Sequence, residues 1–423
     1  MTDAFAGLGR EVAGALGAPG LHMSVVPHPI GELQRTQVTE RSRRAFEDIM
    51  AQLAAERASQ DSAASPAQER FIDAGATPEE VDDAFYRRGW SDGLPIVPPT
   101  PGRVEAMLRR AAASPDTVLG VIAPRQGVAT LEKIAINAVM AGCRPEHFPV
   151  VVAAVTAVCR PEFNLLPMQA TTNPVTPLIV VNGPAARALQ VNSRDNVLGQ
   201  GARANATIGR ALRLALTNIG GGVPGRTDKA CHGQPGKYSM CVAEAEDASP
   251  WEPLHVERGF ARGDSTVTVI GVTGTQDIIH YARTSAGKVL DAIVRALPRE
   301  GFKNLYSGGE PLFMLGPEQA AILGAAGLSK MDVKEAIYEG TRVAAASFAP
   351  ETLELIRTRR PSLFGEGTDA GAIPIADAAG DIQVIVAGGA GNHTVFLPTW
   401  GDTRCVTVPI AWSPEPPAGS PGR

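Results

Sequence analysis

The segment from residue 231 to residue 255, CHGQPGKYSMCVAEAEDASPWEPLH, concentrates reactive side chains. It holds two cysteines, two histidines, a lysine, a tyrosine and four carboxylates, and few residues typical of a core. A zinc site would have to use ligands whose spacing matches no common zinc module. Those ligands would be Cys231, His232, Cys241 and His255. The sequence therefore predicts no metal site here, and zinc stays a minor alternative.

Two further kinds of chemistry fit the same segment. A thiol site would need Cys231 or Cys241 exposed and next to a cation such as Lys237, because a neighbouring positive charge favours the thiolate. An acid–base or substrate-binding site would use Lys237, Tyr238 and Glu244, with Glu246 beside them and His255 as a further binding group. A structural loop without a ligand is the remaining interpretation.

The segment 199–225, which begins with a glycine-rich loop, is the clearest candidate for binding an anion. It carries Arg203 and Asn205 into a predicted helix, where backbone N–H groups and a guanidinium would converge. The pattern is neither a Walker loop nor GxGxxG, so nucleotide binding is not indicated. The alternative is an ordinary helix with arginines on its surface.

Two more stretches present single reactive groups. Asp92 is the one charge in the turn-rich segment GWSDGLPIVPPT, where it would serve as a base or bind substrate, or form a turn with its own backbone. Cys143 follows a predicted helix and precedes Arg144 and His147, which could lower the pKa of a thiol. A cysteine in such a place is otherwise a small buried apolar residue.

The uncharged segment MQATTNPVTP, at 168–177, is rich in hydrogen-bonding groups. Gln169, Thr171 and Asn173 could orient a small polar ligand, or they could satisfy each other in a turn. Both interpretations stay open.

These groups must be positioned by a chain that divides into four parts. Residues 1–55 give a helix, a short strand and a long amphipathic helix, a partial α/β unit too small to close its own core. Residues 56–73 predict a linker, 74–412 an α/β catalytic region in two lobes, and 413–423 a disordered tail. The catalytic region opens with a capping pattern in which Thr77 caps a helix that begins at Pro78.

The alternation of strands and helices across residues 74–412 predicts an α/β fold of layered strand–helix units. A weak internal repeat supports this organisation, because TPLIVVNGPAARALQVN and EPLFMLGPEQAAILGAA both give strand, Gly-Pro and helix. The segment IQVIVAGGAGNH resembles a looser third copy.

Composition excludes several classes of protein. A formal net charge of −5 with scattered lysines and arginines argues against a nucleic-acid partner. No apolar run is long enough to cross a bilayer and no signal pattern opens the chain, so we expect a cytoplasmic protein. Five scattered cysteines make no disulfide framework, and no motif predicts a cofactor.

Five ordered motifs resemble the large domain of the UGSC (seleno)protein family. They are GWSDGLPIVPPT, AINAVMAGCRPEHFPVV, QATTNPVTPLIVVNGP, RANATIGRALRL, and GQPGKY followed by ASPWEPLHVERG, and the similarity runs from about residue 85 to 410. The N-terminal GALGAPGLHMSVVPHPIGEL with its following helix resembles the end of the small UGSC domain. That domain opens with a Gly-Ser-Cys motif in the family, and this chain contains no Gly-Ser-Cys.

The resemblance implies thiol or selenol chemistry on a small molecule. Either a small partner subunit supplies the missing motif, or this protein works without it. We therefore predict the large subunit of an enzyme that acts on a small polar or anionic molecule by thiol-dependent reduction or lyase-type cleavage. A stand-alone, cofactor-free hydrolase or lyase is one alternative. A non-catalytic binding or scaffold subunit is another.

Overall fold

The structure, a computed structural model, describes residues 1–30, 33–55, 71–111, 113–282, 284–297, 301–364 and 371–412. The helices are α1 (Ala6–Ala15), α2 (Arg35–Ala55), α3 (Pro78–Arg87), α4 (Pro101–Leu108), α5 (Leu131–Met140), α6 (Phe148–Val158), α7 (Leu165–Ala170), α8 (Pro184–Ala188), α9 (Arg203–Asn218), α10 (Leu254–Glu257), α11 (Ala286–Ala296), α12 (Lys303–Ser307), α13 (Pro317–Ala325), α14 (Lys330–Gly340) and α15 (Pro350–Arg359). The strands are β1 (Val118–Ile122), β2 (Gly127–Thr130), β3 (Thr176–Asn182), β4 (Cys241–Ala243), β5 (Thr266–Val272), β6 (Gln276–Ile279), β7 (Leu312–Leu315), β8 (Val343–Ala344), β9 (Ala372–Ile373), β10 (Gln383–Val386), β11 (His393–Leu397) and β12 (Val406–Pro409). The predicted linker, apart from its last three residues, and the predicted tail lie outside the described residues.

Two four-stranded mixed sheets form the centre of the protein, and the predicted α/β class is confirmed. The first sheet has the order β12-β5-β3-β4, with β3 and β4 parallel and the other neighbours antiparallel. The second has the order β10-β7-β11-β6, with β10 and β7 parallel and the other neighbours antiparallel. Each sheet therefore has one parallel pair at one edge, followed by two antiparallel neighbours.

The two sheets are built by the same run of strands with an exchange of the last one. The series β3, β4, β5, β6 corresponds to β7, β10, β11, β12, but β6 pairs with β11 and β12 pairs with β5. The two copies of the predicted repeat thus exchange their edge strands, β6 and β12. The segment IQVIVAGGAGNH is not a third copy: its strand, β10, is the parallel neighbour of β7 and is followed by β11 rather than by a helix.

The Gly-Pro pair serves the same purpose in both copies. A Cβ on Gly183 would lie 2.0 Å from the Asp264 carbonyl oxygen, and a Cβ on Gly316 would lie 2.6 Å from the His393 carbonyl oxygen. In each copy the glycine thus packs against backbone at the entrance of the antiparallel neighbour, β5 or β11. Only a residue without a side chain permits this approach.

Four layers, helix–sheet–sheet–helix, enclose three apolar clusters. Alternate residues of both sheets face each other in a shared middle cluster, including Leu178, Val180, Ile270, Leu312 and Met314. The opposite faces are covered separately, by α5, α6 and α9 on the first sheet and by α11, α13, α14 and α15 on the second. This arrangement follows from strands that are apolar on both faces and must be covered on each.

The N-terminal residues form a separate unit that leaves apolar surface exposed. The predicted strand at residues 21–29 makes only one parallel bridge, between Thr2 and Val26, instead of joining a sheet. On α2, Phe46, Ile49 and Met50 are 62 %, 43 % and 50 % exposed. The unit contacts the rest of the chain through an ion pair of Glu11 with Arg125, 2.8 Å between Oε2 and Nε, and a second one with Arg226.

Within the described residues, no single helix has both the length and the apolar character needed to cross a membrane. Pro145–Val158 and Pro161–Ala170 meet those criteria only when taken together, across a bend of 73°.

Candidate functional site

Two polar side chains stand where the parallel strands β3 and β4 end. Leu178 and Val180 of β3 and Val242 of β4 point between the sheets, and the alternation of strand side chains sends Asn182 and Glu244 the same way. Asn182 is fully buried and Glu244 is 4 % exposed. The register of the sheet therefore places a carboxylate at the edge of an apolar layer.

Glu244 is held by one of its two oxygens. Its Oε2 accepts hydrogen bonds from Asn182 Nδ2 at 2.6 Å and from the Leu254 backbone N–H at 2.8 Å. Its Oε1 is buried and has no hydrogen-bond partner among the described residues. Burial raises the pKa of Glu244 to about 7, although the Lys330 ammonium and the two hydrogen bonds favour the charged form. A carboxyl group that titrates near neutrality with a free oxygen is suited to proton transfer.

Glu246 and His255 lie beside this group. Glu246 Oε1 accepts from the Gly183 backbone N–H at 2.6 Å and from Asn182 Nδ2 at 3.1 Å. His255 is fully buried on α10, and neither ring nitrogen has a hydrogen-bond partner among the described residues. Its Nδ1 is 4.0 Å from Glu246 Oε1. Of the predicted site residues, Glu244 and His255 are thus brought together.

A cleft of about 1100 Å³ opens above these carboxylates. Glu244 and Glu246 line it, and so do three arginines: Arg187 on α8, Arg194 and Arg262. Arg194 is paired with Asp247 at 2.6 Å, whereas the side chains of Arg187 and Arg262 have no hydrogen bond or ion pair among the described residues. Two available guanidinium groups around a buried carboxyl group favour a small anionic ligand.

Lys237, Tyr238 and Cys231 lie at the opposite end of β3. Arg213 links the start of β3 to Lys237, because its Nη2 donates to Thr176 Oγ1 and its Nε donates to the Lys237 carbonyl oxygen, both at 3.1 Å. Six residues of extended strand, about 20 Å, separate Thr176 from Asn182. The segment 231–255 therefore contributes to two places rather than to one site.

At that opposite end the predicted groups are either paired or exposed. Lys237 Nζ forms an ion pair with Asp228 Oδ2 at 2.5 Å, and burial lowers the pKa of Lys237 despite this partner. Tyr238 is 54 % exposed. Arg203 is exposed at the start of α9, ten residues or about 15 Å along the helix from Arg213. The structure does not bring Arg203 and Lys237 together.

Four of the five free cysteines have raised pKa values. Burial raises the pKa of Cys143 to about 12 and that of Cys159 to about 11, and it also raises the pKa of Cys241 and Cys405. Cys143 Sγ donates to the Thr207 carbonyl oxygen at 3.3 Å, so it is a packed core residue. Cys231 is the one exposed cysteine.

We expect a thiol reagent to discriminate between these cysteines. Brief treatment of the native protein with N-ethylmaleimide near pH 7 should modify Cys231 alone, because the other thiols are screened by packing or held protonated. Peptide mass mapping would identify the modified site. The same treatment in denaturant should modify all five cysteines, and fast native labelling of Cys143 or Cys241 would contradict the packing described above.

The remaining predicted residues have structural contacts. Asp92 pairs with Arg210 through both carboxylate oxygens, at 2.7 and 2.8 Å. Gln169 is buried and its Nε2 donates to the Ala123 carbonyl oxygen. Thr171 Oγ1 accepts from the backbone N–H and the side-chain amide of Asn173, as expected of a turn.

Asn205 supports the cleft from behind. Its Oδ1 accepts from the Asn192 backbone N–H at 2.7 Å and its Nδ2 donates to the Asn192 carbonyl oxygen at 3.0 Å. Asn192 lines the cleft, so Asn205 holds one of its walls without lining it. No group of three or more potential metal ligands occurs in the part of the chain that the structure describes.

The comparisons with known proteins concern one part of the chain. Residues 1–55 match the UGSC family model. The predicted resemblance of the N-terminal unit to UGSC is thereby confirmed, while the resemblance of residues 85–410 to the large UGSC domain stays a prediction. No curated protein matches this chain.

Sequence reasoning missed several residues around the cleft. A signal for Asn182 was its place as the last residue before a Gly-Pro turn, and the alternation of strand side chains would have put it on the same face of the sheet as Glu244. Arg187 and Arg262 carried no signal beyond their charge. Lys330, which lies 86 positions after Glu244, could not be associated with it without the packing of the two sheets.

Proposed function

We propose that this chain is the substrate-binding, catalytic subunit of an enzyme that cleaves a small anionic molecule by a lyase-type reaction, with Glu244 as the base. The observation that carries the proposal is the buried Oε1 of Glu244, which has no hydrogen-bond partner among the described residues, in a residue that lines a cleft together with Arg187 and Arg262. A base must reach a proton, and a carboxylate whose second oxygen is fixed by two donors is oriented to do so.

The reaction is an elimination. Ionised Glu244 takes a proton from a carbon next to a carboxylate or carbonyl group of the substrate. The electron pair of that C–H bond forms a double bond, and a leaving group departs from the adjacent carbon and takes a proton from water. Arg187 and Arg262 bind the anionic group and stabilise the charge that develops next to it. Glu244 then releases its proton to solvent.

Thiol-dependent reduction by this chain alone is less well supported. Three cysteines are buried with raised pKa values, and Cys159 is partly buried with a pKa that is also raised. The exposed Cys231 lies at the far end of β3 from Glu244, where its backbone N–H donates to the Thr172 carbonyl oxygen. A reactive thiol would therefore have to come from another chain.

A small partner subunit with the Gly-Ser-Cys motif belongs to the same proposal. Its support is the exposed apolar surface of the UGSC-matching unit, where Phe46, Met50, Leu16 and Leu21 are each at least half exposed. We also propose a cytoplasmic location, with which five unpaired cysteines agree. Expression with and without such a subunit, followed by a mass measurement in solution, would test the partner.

Proton exchange with a panel of simple acids tests the proposed reaction. The protein would be incubated in D₂O with short-chain carboxylic, hydroxy and dicarboxylic acids, and NMR would detect deuterium at carbon. We expect exchange with at least one acid, and the variants Arg187→Met and Arg262→Met should raise the half-saturating concentration by roughly tenfold or more. The exposed Arg295→Met on α11 is the control. Absence of exchange across the panel would contradict the proposal.

A further inference from the structure

Two lysines of the second half of the molecule, the part built around the sheet β10-β7-β11-β6, are buried next to the short helix α10. Lys330 and Lys334 of α14 are 4 % and 1 % exposed. Lys330 Nζ donates to the Glu252 carbonyl oxygen at 2.7 Å and to Glu257 Oε2 at 3.0 Å, while Lys334 Nζ pairs with Glu257 Oε1. Buried ammonium groups are costly unless they are paired. Here the carboxylate of Glu257 is the ion-pair partner of both lysines.

Glu257 connects these lysines to the cleft. It is the last residue of α10, and Leu254, the first residue of that helix, donates its backbone N–H to Glu244. His255 lies between them on the same helix. A four-residue helix has little stability of its own, so its position depends on what holds it. The ion pairs with α14 therefore fix the donor that orients Glu244.

Other contacts place the same segment against the second half. Trp251 Nε1 donates to the Leu328 carbonyl oxygen at 2.8 Å, directly before α14. A Cβ on Gly324 would lie 2.5 Å from Pro250 Cβ, so this part of the chain packs closely on α13. Residues 250–257 thus lie between the Glu244 carboxyl group of the first half and the helices of the second.

We propose that Lys330 and Lys334 are positioning residues, which hold α10 and its hydrogen bond on Glu244 from the second half of the molecule. This inference rests on the proposed function, because it gives these lysines a role in the action of the base. Lys330 has an additional electrostatic effect. Burial raises the pKa of Glu244, and among the influences that lower this pKa the Lys330 ammonium is the largest.

The other charges near Glu244 are accounted for by the same geometry. Burial alone would raise the pKa of Glu257, but Lys330 and Lys334 hold it below its ordinary value. Glu257 therefore stays ionised and neutralises one of the two lysines. Charged or titratable groups that line the cleft with Glu244 are Glu246 and Asp247 on its own loop and Arg187, Arg194 and Arg262, and His255 on α10 lies beside Glu246.

The test is a direct titration of Glu244 by NMR in protein labelled with ¹³C at the glutamate carboxyl carbons. The Glu244 signal is assigned by its loss in Glu244→Gln. In Lys330→Met we expect the midpoint to rise by about one pH unit, because the largest influence that opposes the effect of burial is gone and only the hydrogen bonds from Asn182 and Leu254 still favour the charged form. Lys330→Arg should restore the midpoint, and Lys288→Met, an exposed lysine of α11, should leave it unchanged.

A second variant guards against failure to fold. Lys330→Gln retains hydrogen-bond donors for Glu252 and Glu257 but removes the charge, so it should show the same upward shift. If folded Lys330→Met and Lys330→Gln both titrate as the wild type does, the inference is wrong. Failure of the proposed reaction would look different, because deuterium exchange would be absent from the wild type while the NMR shift remained.

Discussion

Glu244→Gln should reduce deuterium exchange by roughly 10²- to 10⁴-fold, the usual contribution of a positioned base. Glutamine keeps an oxygen for Asn182 Nδ2 and the Leu254 N–H, and it places an amide at the free Oε1 position. The shape of the cleft is therefore preserved while the base is lost. The measurement is the exchange rate by NMR with whichever acid the wild type accepts.

Asp247→Asn provides the matched control for this experiment. Asp247 also lines the cleft, but its side chain is 63 % exposed and paired with Arg194. Removing an exposed charge changes little, so this variant should exchange at a rate close to that of the wild type. If exchange persists in Glu244→Gln and disappears in Asp247→Asn, the base is Asp247 and the assignment to Glu244 is wrong.

The pH dependence of the wild type follows from the same carboxyl group. Only the ionised form accepts a proton, so the exchange rate should rise about tenfold per pH unit below pH 7 and level off above it. Stability should behave in the opposite sense. Because the folded carboxyl titrates at about 7 instead of its ordinary 4.5, the folded state binds the proton more tightly, and this group destabilises the fold as pH rises between those values.

The local features of the chain could be predicted from its sequence because they depend on neighbouring residues. Thr77 caps α3 as predicted, where Glu80 completes a capping box, and both Gly-Pro pairs join a strand to a helix. The exchange of β6 and β12 could not be predicted, since it depends on which edge each strand reaches. The valine-rich run in α6 gives no helix-specific period either, because all its faces are covered.

The candidate site was predicted in part for the same reason. The density of polar groups near Glu244 and His255 indicated function, but it could not separate them from Lys237, which the chain carries to the other end of β3. Their true partners are distant in sequence. Asn182 is positioned by strand register and Lys330 by the packing of the second half, and neither relation leaves a local pattern.

Asp92→Ala should lower the free energy of unfolding by about 3 kcal/mol, since it leaves the Arg210 guanidinium largely buried without its carboxylate. The two side chains are 10 % and 13 % exposed. Arg210 Nη2 also donates to the carbonyl oxygens of Leu94 and Pro95, so the pair fastens the 89–100 loop to α9. Urea unfolding would measure the loss.

A structural role for Asp92 makes two further outcomes necessary. The double variant Asp92→Ala with Arg210→Met should be more stable than Asp92→Ala alone, because no buried charge is left unpaired. The exchange rate per folded molecule should also stay close to the wild-type value at low temperature, since the pair binds loop to helix and the cleft is lined by other residues. If exchange disappeared in folded Asp92→Ala, Asp92 would belong to the catalytic machinery, and the roles of Asp92 and Glu244 would have to be reversed.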